Sequence, residues 1–489
     1  MAHPGHHAAA RPDAAALIMA GTGATLTWAE LHDQAVGWAN HLHDLGLRPG
    51  DAVAICLENR FEFVSALWAC QYAGFRYTPI STRLTATEAT YIVDDCEARA
   101  CFVSDKTADN IINETAVINV DHGSPVDGGP PHYERAEGWP MMYSSGSTGQ
   151  PKGVRKPAPP EPVETMPPGV AASGQAFSLD ADTVYLSTAP LYHSAPIDFL
   201  IQMTRLGSTT VIMERFDAAG ALAAIETHRV THSQWVPIMF IRMLRLTEPE
   251  RTRHNLSSHR WAIHGAGPCT IATKEAMLEW WGPIIHEYYA GTEGSGLCMI
   301  GPQDWLTHKG SVGRSVRGPV RILDNDGAEL PTGEVGQIWF GNSSDFEYHG
   351  DVAKTAEARK PDGTGSFGDI GSVDADGFVY LTDRKAFTIN VGGINVYPRE
   401  TEEVLLGHHA VHDVAVFGIP NAEYGEEVKA VVQASPGHQA GSTLANELAE
   451  YCRASLASFK VPRSFDFVDE FPREPTGKVR IGELRKTHS

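Results

Sequence analysis

A layered α/β architecture with a largely parallel sheet is what this sequence predicts, on three observations. Amphipathic helical stretches alternate with short β-rich runs through the opening third and again from Asp182. Val316–Phe340 is richer in Val, Ile, Gly and Asp-Gly turns, which marks a β-rich subdomain. After Asp383 the texture changes once more, and the runs Val411–Gly418 and Val428–Ala434 with a helix over Leu444–Ala457 suffice for a compact domain of about 100 residues. A chain of 489 residues is too long for one core and is expected to split into domains.

The elements follow in order. Thr27 and Glu30 have capping-box spacing ahead of a helix whose apolar stripe is Leu31, Ala35, Trp38, Leu42 and Leu45. Gly46 and Pro49-Gly50 stop it, and Ala52–Cys56 reads as a buried strand. A helix over Phe61–Tyr72 leads through Gly74 to a strand at Phe75–Thr78, followed by a helix near Thr85–Asp94 and a strand at Ala100–Val103. Lys156–Val170 is proline-rich and is expected to be an extended surface loop. Thr183–Leu186, Thr209–Met213 and Ser233–Val236 are the next strands. No internal repeat or heptad pattern is present.

Composition narrows the function classes. The chain is 42% hydrophobic and 20% charged, as ordinary globular proteins are. Its 39 basic and 60 acidic residues give a net charge of −21, which argues against a general nucleic-acid or anionic-membrane surface. Seven cysteines, odd in number and without CxxC spacing, read as reduced, mostly buried thiols. The N-terminus lacks a basic n-region, Ala14–Ala20 is too weak for a signal core, and no apolar run approaches the roughly 20 residues of a membrane span. The cytoplasm is the expected compartment.

The chemistry concentrates in Tyr143-Ser-Ser-Gly-Ser-Thr-Gly-Gln-Pro-Lys-Gly-Val154. Glycines let backbone amides approach an anion, and the hydroxyls add donors. Such a loop can cradle a polyphosphate, with Lys152 as a mobile countercharge. It is not a Walker loop, because Pro151-Lys152-Gly153 stands where Gly-Lys-Ser/Thr is required. Taken alone, a Gly/Ser run also reads as a linker.

Downstream, Tyr288-Tyr289-Ala290-Gly291-Thr292-Glu293-Gly294 offers a ring, a hydroxyl and a carboxylate suited to a base, a phosphate and Mg²⁺. His286-Glu287 fails as a zincin start, since position 290 is alanine, and the histidines show no metal spacing. Asp369 lies between glycines, with Leu381 and Arg384 shortly after, a set that suits ribose hydroxyls. Lys478 stands on the tight turn Pro475-Thr476-Gly477-Lys478 as a compact charge on a long stem.

The order and spacing of these segments resemble the adenylate-forming superfamily, which includes acyl-CoA synthetases, luciferases and peptide-synthetase adenylation domains. The resemblance runs from about residue 20 to 485. It implies a large N-terminal α/β domain over 1–383, with two βαβ-type sheets and a small β-rich subdomain. A hinge follows at 384–386, then a small mobile α+β lid over 387–489.

By motif match, Ser144, Ser145, Gly146, Ser147, Thr148, Gly149 and Lys152 would hold the outer phosphates of ATP. Gly265, Ala266, Gly267, Glu287, Tyr288 and Tyr289 would wall the adenine, with Tyr289 as the stacking ring. Thr292 and Glu293 match the phosphate and Mg²⁺ contacts, Asp369 and Arg384 the ribose contacts, and Lys478 the lysine bridging carboxylate and α-phosphate. His193, in Pro190-Leu191-Tyr192-His193, matches the gate of the acyl site. Gly392 and Gly393 match the loop that lines the thiol tunnel for CoA. The family pivot, usually Asp or Lys, falls on Lys385-Ala386 and leaves that residue open.

The function this implies is an AMP-forming carboxylate–CoA ligase, or alternatively a stand-alone adenylation enzyme that loads a carrier protein. Its partners would be a small carboxylic acid, ATP and CoA, with a homodimer common among relatives. His193, Ser194, Trp235, Pro237, Met239, Phe240, Ala266, Gly267 and Gly291 are the expected acid-pocket walls, an apolar set suited to a fatty, aromatic or steroid side-chain acid. Asp198 lies near that segment, which keeps an amino-acid substrate in view.

Overall fold

Ala52–Cys56, an unbroken apolar run, is buried along its whole length because both faces of its sheet are covered. It pairs in parallel with Arg76–Pro79 on one side and Ala98–Val103 on the other. The computed structural model to which this belongs describes residues 3–123, 129–144, 151–384, 387–391, 394–421, 423–473 and 479–488. The strands form a thirteen-stranded, a seven-stranded and a five-stranded sheet.

The helices between them form where the pattern predicts. Thr27 caps Trp28–Asp44 with a full capping box, and Thr85 does the same for Ala86–Asp95. Leu31, Ala35, Trp38 and Leu42 are buried, whereas Leu45 falls at the C-cap and is 43% exposed, so the stripe ends one turn earlier than expected. Phe61–Tyr72 is buried from Phe63 onward and packs with Trp28–Asp44 in one core cluster.

The proline-rich segment departs from expectation at its end. Pro168 begins a helix, Pro168–Phe177, because a first-turn proline lacks only an N–H that would have had no partner. The loop before it is tied down by buried Arg205, which pairs with Glu137 and donates to the carbonyls of Val163 (3.1 Å) and Thr165 (3.3 Å).

The larger sheet changes character along its width. Thr209–Ile212, Val184–Ser187, His232–Trp235, Trp261–His264 and Ile285–Ala290 run parallel, and Ala15–Met19 joins them beside Thr209–Ile212. Beyond Ile285–Ala290 every pairing is antiparallel, through Leu297–Ile300, Ser311–Ser315, Val379–Arg384, Asp369–Val373, Gly336–Phe340 and Val320–Leu323. The β-rich region is therefore continuous with the larger sheet. The five-stranded sheet begins at Ile389–Val391 and centres on the hairpin Val411–Asn421 and Gly425–Ala434, with its own core of Ile389, Val416, Val428 and Leu448. Among the described residues, no helix is long and apolar enough to cross a membrane.

Candidate active site

The carboxyl ends of the parallel strands converge, and the candidate residues sit there. Val184–Ser187 leads to His193, Trp261–His264 to Gly265–Gly267, and Ile285–Ala290 to Gly291–Glu293. This is where open parallel sheets expose strand ends and helix N-termini to a ligand.

The phosphate-loop segment enters on the hairpin Trp139–Ser144 and Lys152–Arg155. Tyr143 donates its hydroxyl to Asp95 at 2.5 Å, and burial pushes its pKa up, so it stays a donor. Ser145, Gly146, Ser147, Thr148 and Gly149 lie outside the described residues, as do Lys385, Ala386, Gly392, Gly393 and Lys478.

Lys152 pairs with Asp351, which also caps Val352–Ala358 by accepting from the Lys354 backbone N–H at 2.9 Å. Burial, then the nearby Lys152 charge, lowers the pKa of Lys354, whose ammonium lies 4.5 Å above the Tyr348 ring. Tyr348 in turn donates to Glu293 Oε1 at 2.7 Å. Its strand, Glu347–Tyr348, is hydrogen-bonded to Lys152–Arg155, with Tyr348 opposite Val154. One short strand thus carries the phosphate-loop hairpin to the Thr292-Glu293 turn.

That turn demands glycine. A Cβ on Gly291 would meet the Phe367 ring at 2.5 Å and Glu293 Oε2 at 2.8 Å, and Gly294 holds φ at +73°. Phe367 meets Tyr289 edge-on at 5.5 Å, and Tyr289 donates to Asp369 Oδ2 at 2.5 Å. Asp369 is opposite Arg384 in the strand pair, and Leu381 packs against the small core beneath Tyr289. Thr292 is half-buried and its hydroxyl has no hydrogen-bond partner among the described residues.

Gly265 is required by packing, since a Cβ there would meet the Tyr288 ring at 2.5 Å, and Ala266 is held at φ +65°, a conformation costing about 1 kcal/mol for a non-glycine residue. The Tyr288 hydroxyl accepts from Gln234 at 3.3 Å.

The Glu287 side chain is held by Lys274 at 2.6 Å, with His264 at 3.5 Å, in a buried ion pair. Burial pushes both partners toward their neutral forms, raising Glu287 and lowering Lys274. Trp235, Met239 and Phe240 pack in the core with Ile285 and Met277, none more than 3% exposed.

His193, by contrast, has a buried Nε2 without a partner among the described residues. Burial, then Arg83, lowers it to about 4, so the imidazole is neutral. Ser194 follows at the first position of helix Ser194–Leu206.

Tyr348, Asp351 and Lys354 were not expected from the sequence. Gly350-Asp351 resembles any Gly-Asp turn, and only the pairing of strands far apart in the chain reveals their place.

The C-terminal region meets the strand Val379–Arg384. The Arg399 backbone N–H donates to Asp383 at 3.0 Å, and the Arg399 charge acts on Glu287 and Cys269. Beside it, Glu402 accepts from the Val416 N–H at 2.8 Å, and burial, with Asp383 adding to it, raises its carboxyl to about 7. A carboxyl raised on folding contributes stability below its unfolded pKa and loses it as pH rises through about 7. Glu402→Gln keeps the acceptor oxygen, so its Tm should exceed wild type at pH 8 and match it at pH 4.5. Equal differences at both pH values would refute this.

A model of the AMP-binding enzyme matches residues 5–346, and one of the AMP-binding enzyme C-terminal domain matches residues 400–478. The chain is 31% identical to the fatty acid–[acyl-carrier-protein] ligase ScoC of Streptomyces coeruleorubidus, covering 98% of this chain and 94% of that protein. It is 32% identical to the 3-[(3aS,4S,7aS)-7a-methyl-1,5-dioxo-octahydro-1H-inden-4-yl]propanoyl:CoA ligase of Rhodococcus jostii (strain RHA1), covering 94% and 93%. The solved o-succinylbenzoate CoA synthetase of Bacillus subtilis, in complex with an acyl-adenylate intermediate, superposes with a TM-score of 0.82 at 27% identity, covering 99% and 98%.

Proposed function

This chain belongs to the AMP-binding enzyme family, and we propose that it is an AMP-forming ligase joining a carboxylic acid to the thiol of CoA. The observation that supports this most is the cluster linking Lys152, Asp351, Lys354, Tyr348 and Glu293, beside Tyr289 and Asp369. A carboxylate resists nucleophilic attack, being anionic with hydroxide as its leaving group. Its oxygen first attacks the α-phosphorus of ATP, forming an acyl-adenylate and expelling pyrophosphate. A thiol then attacks the mixed anhydride and AMP leaves.

Each residue has a part in this reading. Tyr289 stacks on the adenine while Asp369 accepts from the ribose. Lys152 exchanges Asp351 for phosphate, since a partly exposed ion pair is worth only about 0–1 kcal/mol. Thr292, whose hydroxyl has no hydrogen-bond partner among the described residues, offers it to a phosphate oxygen. The family implies Mg²⁺, and a carboxylate oriented by a tyrosine hydroxyl is a fitting hard-oxygen ligand. Glu293 would hold the ion, which when bound neutralises phosphate charge. Neutral His193 borders the acid site, with Gly267 and Gly291 near its neck. Lys478, on a lid pivoting at 384–386, carries its charge to the reacting phosphorus. Gly392 and Gly393 then line the thiol channel.

ScoC favours a second reading, in which the acceptor is a carrier-protein thiol. AMP release from ATP and a panel of acids, with and without CoA, tests both. Strong stimulation by CoA is expected. Pyrophosphate release that CoA leaves unchanged would favour the carrier protein, and no release at all would sink the ligase reading.

A further inference from the structure

Helix Trp28–Asp44 ends on His43 and Asp44, and a segment far along the chain brings His132 to the same end. His132 Nε2 lies 3.0 Å from Asp44 Oδ1, and His43 Nδ1 lies 3.8 Å from the same oxygen. One ligand atom from each of the three residues lies within 4.8 Å of the other two. The two imidazole rings meet edge-on with centroids 5.5 Å apart. No spacing along the chain reveals the group, because Asp44 and His132 are 88 residues apart.

The group is fixed from behind. Asn40 shares the helix face of His43 and Asp44, since residues three and four apart are neighbours on a helix. Its buried side chain donates to the Pro130 carbonyl at 3.4 Å and accepts from the His132 N–H at 3.1 Å. The backbone that carries His132 is thereby tied to the turn that carries the other two. His43 Nδ1 is shielded from solvent and has no hydrogen-bond partner among the described residues. Buried polar atoms are normally paired, so this nitrogen asks for a ligand.

Geometry and charge both suit a cation. Tetrahedral ligands at about 2.0–2.2 Å from one ion stand roughly 3.3–3.6 Å apart. The two distances to Asp44 Oδ1 bracket that range. A helix C-terminus carries partial negative charge, and this one already draws Arg48, which donates to the His43 carbonyl at 3.1 Å. Two imidazoles and a carboxylate favour Zn²⁺, Co²⁺ or Ni²⁺ over Mg²⁺ and Ca²⁺, which prefer oxygen throughout.

A second group, His408 with His409 and Glu447, is less well prepared. There the Ala410 N–H donates to His408 Nδ1 at 3.3 Å, which leaves the ring proton on Nε2, facing Glu447 at 3.2 Å. The nitrogen nearest the carboxylate therefore has no lone pair to give. Among the described residues no N–H is directed at His132 Nδ1, so that ring can carry its proton there and offer Nε2.

We propose that His43, Asp44 and His132 bind one Zn²⁺-like divalent ion, which pins the segment around His132 to the end of helix Trp28–Asp44. The segment runs on into Trp139–Ser144, so the ion braces the chain that enters the phosphate-loop hairpin. It is a structural site, separate from Glu293 and independent of the ligase reading.

The test is calorimetric titration of the chelator-treated 489-residue chain with Zn²⁺, in the presence and absence of excess Mg²⁺, together with Tm. One Zn²⁺ should bind at this site, Mg²⁺ should leave it in place, and Tm should rise with Zn²⁺. His132→Gln and Asp44→Asn should each weaken binding by about 10- to 100-fold or more, since loss of even an outer partner of a ligand does that. Both should also lose the Zn²⁺-dependent rise in Tm, whereas His408→Gln should behave as wild type. His132 is half-exposed, so its variant reports on the ion even if His43→Gln fails to fold. Wild-type protein that binds Zn²⁺ no more tightly than His132→Gln, a site emptied by excess Mg²⁺, or tight binding lost in His408→Gln but kept in Asp44→Asn would each overturn the assignment.

Discussion

Glu293→Gln is expected to lower pyrophosphate release by about 10²- to 10³-fold, the usual loss when one group stabilising transition-state charge is removed, or roughly 2.7–4 kcal/mol. The substitution is nearly isosteric, and its amide oxygen can still accept from the Tyr348 hydroxyl, which is 2.7 Å from Glu293 Oε1. What it removes is the negative charge. A hard divalent cation selects anionic oxygen, so the variant should need far more Mg²⁺ to reach half its maximal rate. Tm should stay near wild type, because Glu293 is half-buried and its hydrogen bond survives. Tyr348→Phe serves as the companion variant: it leaves the charge but frees the carboxylate to rotate, and a smaller loss at saturating Mg²⁺ is expected. A Glu293→Gln enzyme with wild-type rate and Mg²⁺ dependence would show that this carboxylate holds no ion.

How much of this was legible beforehand varies with the range of the interaction. Ala52–Cys56 and Phe61–Tyr72 form on the predicted bounds because an unbroken apolar run and nearby glycine stops are local signals. Pro168 was misread as loop because proline composition does not say whether a proline falls within a helix or at its first turn. The glycines of Tyr143–Val154 and of the Thr292-Glu293 turn suggested an anion site, but the reason Gly291 must be glycine is the ring of Phe367, distant in sequence.

The same applies to the cluster itself. Tyr348, Asp351 and Lys354 reach Lys152 and Glu293 only because Glu347–Tyr348 pairs with Lys152–Arg155. Trp235, Met239 and Phe240 read from the sequence as either core or pocket wall, because an apolar run beyond a strand suits both, and their burial among Ile285 and Met277 is visible only in the fold.

Lys478→Ala is expected to abolish adenylate formation, by about 10³-fold or more, while preformed acyl-adenylate is still converted to thioester. In the first half-reaction, negative charge grows on the oxygens around the α-phosphorus as carboxylate attacks and pyrophosphate departs, and a lysine supplies a compact countercharge there. In the second, AMP leaves from a carbonyl carbon and no new bond forms to phosphorus, so the same lysine has nothing to neutralise. A group needed in one step and idle in the next is well placed on a moving element, because its departure frees the site for the thiol. Lys478→Arg separates charge from reach: the cation is kept, but a planar fork replaces a point charge, and partial activity in the first step is expected. Single-turnover measurement of each half-reaction decides the matter. An equal fall in both would mean that Lys478 maintains the lid and not the chemistry, and the division of labour between the two steps would have to be abandoned.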